Sequence, residues 1–249
     1  MTNHKERPIL FSGAMVRSIL DGRKTQTRRL FKTHAFDAKK VNSLDLIHVV
    51  WGAEAGFISC KQPVDTAWAG FNFGGSSGGY FPCPYGQPGD RLWVRETARC
   101  AFKSEQPPDN RGCIGVEYQA GGSMMRDYAL DRPNEFPWFP NRSHNVDGSM
   151  RWAPAIHVPR WASRILLEIT DVRIERLNDC SSEDAIAEGI SPYKHGWERR
   201  HPDPNDTSHS GATADPQLAY KGLWESINGT GSWDANPWVW VVEFRRVEA

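Results

Sequence analysis

No apolar run in this chain approaches the roughly 20 residues that a membrane-spanning helix needs. The opening residues, Met1-Thr2-Asn3-His4-Lys5-Glu6-Arg7, lead into only four apolar or small residues. No secretory signal is expected from that pattern, no membrane partner is expected, and the cytoplasm is the expected compartment. Cysteine is sparse: Cys60, Cys83, Cys100, Cys113 and Cys180 are five in number, irregularly spaced, with no C-x-x-C pair. That argues against a zinc ribbon and against a complete disulfide framework. Net charge is also missing, since 30 Lys and Arg balance 30 Asp and Glu. Bulk attraction to nucleic acid is therefore not expected, and any basic surface must be local. The glycine cluster at 74–79 lacks the G-x-x-x-x-G-K-[ST] order, so it reads as a hairpin tip or flexible loop rather than a phosphate cradle. His195, His201 and His209 sit in a polar stretch with nothing to set their spacing, and no metal or other cofactor is expected. There is no internal repeat and no convincing linker, so residues 1–249 read as one domain.

What is abundant is aromatic bulk and turn-forming residues: eleven Trp, eleven Phe, 22 Gly and 17 Pro. A β-rich fold with long excursions, at about 32–85, 103–150 and 191–215, fits this balance. Pro8-Ile9-Leu10-Phe11 reads as a first strand, and Ser12 as the cap of a helix through Leu20. Gln87-Pro88-Gly89-Asp90 is a turn that leads into Arg91-Leu92-Trp93-Val94-Arg95-Glu96-Thr97. Alternation there puts Glu96 on the inner face with Leu92 and Val94, where it needs an arginine partner or a place in a pocket. Residues 164–177 form the longest strand signal, with one change of phase near Thr170-Asp171. Ser181 or Ser182 caps the next helix, which ends near Gly189; residues 191–216 read as loop. A helix over 216–228 carries Leu218, Leu223, Trp224 and Ile227 as its apolar stripe, and Trp238 to Val242 is apolar on both faces, as a central strand is. Residues 136–140 are a prolyl aromatic knot. Arg151 to Arg164 places Trp152 and Trp161 among three arginines, either as core tryptophans beside snorkelling arginines or as stacking platforms; His157 there reads as structural.

The densest chemistry lies in Gly22-Arg23-Lys24-Thr25-Gln26-Thr27-Arg28-Arg29, four cations and two hydroxyls in eight residues. Gly22 stands where the preceding helix needs a residue tolerant of positive φ, and the threonines then begin a strand running from Lys24 to about Leu30. Such a run is either a solvated basic turn or a site in which the lysine amine takes the proton of an attacking threonine hydroxyl. Lys24 and Thr27 are three apart, and odd separations in a regular strand face opposite ways. Pairing them requires Lys24 to stay in the turn, or a bulge between the two.

The run Ile19-Leu20-Asp21-Gly22-Arg23-Lys24-Thr25-Gln26-Thr27-Arg28 resembles the I-L-x-G-x-K-T-x-T-x-R opening of ASCH-domain proteins. The order of the later pieces is similar too: Gly89-Asp90-Arg91-Leu92-Trp93-Val94, the 165–172 strand, Ala185-Ile186-Ala187-Glu188-Gly189 and the closing strand. The whole chain also resembles prophage-borne proteins of about this length. The resemblance implies an α+β fold, a small PUA-like β-barrel with flanking helices and long loop insertions. It implies an amidohydrolase that removes the acyl group from N4-acylated cytidine, with Thr27 as nucleophile, Lys24 as base and Glu188 orienting Lys24 or substrate. Arg23, Thr25, Arg28, Glu96 and Trp152 are the accompanying candidates for substrate contact. PUA-like barrels also recognise RNA or modified bases, for which Arg23, Arg28 and Arg29 with Trp152 and Trp161 would serve, and some ASCH proteins are reported to cut RNA. The expected partner is a nucleoside or modified base, with RNA as the alternative.

Overall fold

The structure is a computed structural model that describes residues 4–32, 45–51, 67–72, 78–106, 111–129, 151–199 and 211–248. The aromatic segment 136–140, most of the glycine cluster (74–77), His201 and His209 lie outside the described residues. The architecture is mixed α and β, mostly sheet, with few helices. Chain contacts divide it into two compact units: one holds Met1–Lys5, Ser18–Arg91 and Glu168–Arg245, the other Glu6–Arg17, Leu92–Leu167 and Arg246–Ala249. No helix among the described residues is long and apolar enough to cross a membrane.

In chain order, β1 (Glu6–Leu10) precedes α1 (Gly13–Leu20), whose start is capped by the Ser12 hydroxyl accepting from the Met15 amide at 3.4 Å. Gly22, at φ 74°, turns the chain out of the helix, and β2 (Gln26–Leu30) follows. An antiparallel meander of β3 (Asp45–Trp51), β4 (Ala67–Asn72) and β5 (Gly78–Pro82) comes next. The expected turn is present, with the Asp90 amide donating to the Gln87 carbonyl at 3.0 Å and Gly89 at φ 91°. It opens β6 (Arg91–Arg95), the neighbour of β1. A second meander joins β7 (Ala98–Gln106), β8 (Arg111–Tyr118) and β9 (Ser123–Ala129).

Strand β10 (Leu166–Arg176) buries Leu167 and Ile169, then Val172 and Ile174, so the change of phase read from the sequence falls between Ile169 and Val172. Then come α2 (Ser182–Ala187) and a small sheet of β11 (Pro192–Tyr193), β12 (Gly196–Arg199) and β13 (Gly211–Thr213). Helix α3 (Pro216–Asn228) and β14 (Trp238–Val247) complete the described chain. In the first unit β14 lies between β10 and β2, which is why Trp238 through Val242 are apolar without alternation.

The three segments read as loop insertions thus carry sheets. Within 191–215 the strands are two to four residues long, too short for an alternation of hydrophobicity to betray them. Helix α3 occupies the expected span, with Trp224 buried and Leu223 packed on the same core as expected, but its inner face is turned toward Ala219, Tyr220, Gly222 and Glu225, and Ile227 is 57% exposed. Tyr220 and the small residues fill the inner face, packing with Leu177, Cys180, Ala185, Val239 and Val241. The other unit has its own core of Ala98, Cys100, Ile114, Val116, Tyr118, Ala153, Val158 and Ala162.

Trp240 is 1% exposed and packs against Phe31 with ring centroids 6.0 Å apart. Trp240→Ala is expected to cost about 3–5 kcal/mol in chemical denaturation, whereas Ile227→Ala should stay within about 0.5 kcal/mol. Comparable losses from both would contradict the observed rotation of α3.

Candidate active site

Three local signals build the site in the first unit. The α1 C-terminus and the Gly22 turn bring the Arg23 and Lys24 amides to the Ser18 carbonyl, at 2.9 and 3.0 Å, so Lys24 remains in the turn ahead of β2. Ser181 caps α2 in a reciprocal box with Asp184, and the helix ends with Glu188 as its C-cap. Gly189, at φ 82°, then allows close approach: a Cβ there would meet the Lys24 Cβ at 2.7 Å and the Ser18 Cβ at 2.9 Å. Lys24 and Glu188 face each other as an isolated antiparallel bridge, and the Thr25 amide donates to the Ala187 carbonyl at 2.9 Å.

Across that bridge the Lys24 Nζ donates to Glu188 Oε2 and to the Glu188 carbonyl, both at 2.8 Å. The two side chains are 0% and 3% exposed. Arg28, four residues on and also 0% exposed, holds Glu188 Oε1 at 3.4 Å, Glu175 Oε1 at 2.5 Å and Asp184 Oδ2 at 3.1 Å. The Gln26 amide donates to Asp184 Oδ1 at 3.1 Å and to the Asp184 carbonyl at 2.8 Å. Arg173 braces the rim, bonding Glu175, Asp184 and Glu243. Tyr220 from α3 brings its hydroxyl within hydrogen-bonding reach of the Glu188 carboxylate, and its ring lies 6.0 Å from the Arg28 guanidinium carbon.

The electrostatics follow from enclosure. Burial pulls the Lys24 amine below its ordinary value, outweighing the opposite pull of Glu188, and Arg29 and Arg28 add to the lowering. Burial works against the charge of Arg28 as well, yet Glu188 and then Glu175 leave it above the ordinary arginine value. Burial would raise the Asp184 carboxyl, but Arg28, the Gln26 amide and Arg173 more than offset it and hold it low. Burial lifts the Tyr220 phenol well above its usual value, with Glu188 adding to the effect, so Tyr220 stays protonated and can donate. The Cys180 thiol is pushed up to about 12, chiefly by burial.

The structure therefore brings together Lys24, Arg28 and Glu188. Thr27 is buried beside them in sequence, opposite Val242 on β14, and strand alternation directs it away from the side that Gln26 and Arg28 share. Arg23 reaches the Gly189 and Ile190 carbonyls, at 3.4 and 3.2 Å, and Asp21 at 2.9 Å. Thr25 is exposed, its carbonyl accepting from the Phe244 amide at 2.8 Å. Two candidates belong to the other unit. Glu96 has the arginine partner its inward position demanded: Arg164 Nε and NH2 grip its two oxygens, each at 2.9 Å. Trp152 carries the Arg99 guanidinium over its ring at 4.6 Å.

Glu175 and Tyr220 are not singled out in the sequence, and Asp184 is not read as part of the site. Asp184 is legible there only as a first-turn acid, and Tyr220 only as one residue of a helix. Among the described residues no group of three His, Cys, Asp or Glu side chains is arranged to hold a metal ion.

Gly189→Ala is expected to combine left-handed strain with overpacking against Lys24, costing about 2–4 kcal/mol and lowering the melting temperature by several degrees. Thermal unfolding checks this, and an unchanged midpoint would contradict the close approach.

No family model matches the chain, and no curated protein or solved structure matches it significantly.

Proposed function

We propose that the chain is an amidohydrolase of N4-acylated cytidine, built on an ASCH-type, PUA-like scaffold with Lys24, Thr27 and Glu188 as its catalytic residues. One observation carries the reading. The resemblance joins Lys24 to a glutamate 164 positions away, and the two meet at 2.8 Å in an enclosed pair. Their lysine has its pKa lowered by burial, as a general base working near neutrality requires.

In this mechanism the neutral Lys24 amine accepts the Thr27 hydroxyl proton as Oγ attacks the amide carbonyl. The tetrahedral intermediate collapses, the bond from carbonyl carbon to N4 breaks, and the Lys24 ammonium returns the proton to the departing amine. Water, deprotonated by the same amine, then cleaves the threonyl ester to release the acid and restore Thr27. Glu188 holds the amine in place. The Thr27 hydroxyl must come within about 3 Å of it during turnover.

Base binding and RNA cleavage draw less from the site. Arg28 is fully enclosed among carboxylates and offers no phosphate contact, and the face of the Trp152 ring already carries Arg99.

Purified protein is expected to release cytidine from N4-acetylcytidine, followed by ultraviolet absorbance. Lys24→Met, Thr27→Val and Glu188→Gln, each checked for folding, should lose about 100-fold or more in kcat, and Thr27→Ser should retain part of it. The rate should rise with pH and level off above the lowered Lys24 pKa, below the usual 10.5, because the deprotonated amine is the active form. An inactive wild type across several acyl sizes would overturn the proposal.

A further inference from the structure

We infer that Arg28 is a positioning residue: by holding Glu188 Oε1 it turns Oε2 to Lys24, from which the Glu188 carbonyl also accepts. The catalytic meaning of this assignment rests on the amidohydrolase reading, while the geometry stands apart from it. The guanidinium sits on the side of β2 that Gln26 shares and is enclosed by three carboxylates from two elements: Glu175 on β10, and Asp184 and Glu188 at the start and end of α2. A planar fork with five donors can bridge such a set, and a lysine cannot. With its charge engaged by three carboxylates, Arg28 is a support rather than a substrate contact in this reading. Its charge lowers the Lys24 amine directly, and it also holds the carboxylate that the two cations divide.

The division sets how much of the negative charge of Glu188 reaches Lys24. The groups facing the pair are Arg28 and Arg29 from β2, Glu175 and Arg173 from β10, Cys180 and Asp184 around α2, and Tyr220 from α3. Removing Arg28 returns the full charge of Glu188 to the lysine. Removing one of the other carboxylates on Arg28 turns the guanidinium more fully on Glu188 and takes charge from the lysine. The two perturbations thus move Lys24 in opposite directions, and because the bare charges removed would give the same signs, the positioning role is read from how far each shift depends on Glu188.

The test is the Lys24 titration in the intact chain, followed by NMR of carbon-13 labelled lysine ε-methylenes, with the resonance assigned by Lys24→Met. Arg28→Met is expected to move the titration up by about one pH unit, Glu175→Gln to move it down, and Arg28→Lys to fall between wild type and Arg28→Met. In a Glu188→Gln background the Arg28→Met shift should shrink by half or more. Should Arg28→Met fail to fold, Glu175→Gln decides: its downward shift should shrink by half or more in the Glu188→Gln background, and a shift that is absent, upward or equal in both backgrounds overturns the assignment. Equal shifts with and without Glu188 also overturn it. If wild type hydrolyses no acylcytidine but the Glu188-dependent shifts appear, the amidohydrolase reading falls and the positioning role of Arg28 is supported.

Discussion

Two cations with no exposed side-chain surface constrain the first unit. A buried ammonium and a buried guanidinium are tolerable only where carboxylates and carbonyls surround them, because removing one partner of such a pair costs about 3–5 kcal/mol. Lys24 and Arg28 have no exposed side-chain surface, and the groups that answer them come from distant parts of the chain: Glu175 on β10, Asp184 and Glu188 on α2, Tyr220 on α3. The approach of these elements is therefore specified electrostatically as well as by packing. The Gly22 turn and the small residue at 189 are the steric conditions that let the charges meet.

The other unit meets the same requirement by simpler means. Glu96 is buried on the inner face of its strand end, and Arg164 grips both of its oxygens while lying 4.1 Å from the centre of the Tyr118 ring. The Tyr118 hydroxyl in turn donates to the Ala162 carbonyl at 2.8 Å. One anion, one cation and one aromatic plate close the account locally. The first unit differs in that its lysine and arginine divide a single carboxylate, Glu188.

How much of this could be read from the chain depends on whether a signal was local. The Ser12 cap, the Gly22 turn, the Pro88-Gly89 bend, the Ser181 cap and the buried central strand each rest on a few adjacent residues, and each is found where that chemistry put it. The inward position of Glu96 was legible from alternation alone. Arg164 as its partner was not, since the pair is 68 residues apart. The short strands of 191–215 escaped because two to four residues are too few to show a period, and the α3 stripe was read correctly at Leu223 and Trp224 but missed Ala219, Tyr220 and Gly222, less conspicuous than Leu218 and Ile227. Lys24 was legible as chemistry from its motif. Its burial against Glu188, and the gathering of Glu175, Asp184 and Tyr220 around Arg28, are properties of the fold that no spacing in the sequence encodes.

The identity of residue 24 separates a base from a clamp. For structure alone an arginine would hold Glu188 as well or better, since its planar fork matches a carboxylate and it is more weakly hydrated. Arginine cannot give up its proton in a protein, however, and lysine can once desolvated. At position 28, where three carboxylates converge, the chain has the residue that stays charged, and its pKa is raised. At position 24, where one carboxylate is shared and burial dominates, it has the residue able to become neutral, and its pKa is lowered. Carboxylates raise both cations; the two part company because burial outweighs the one shared carboxylate at Lys24, whereas three carboxylates outweigh burial at Arg28.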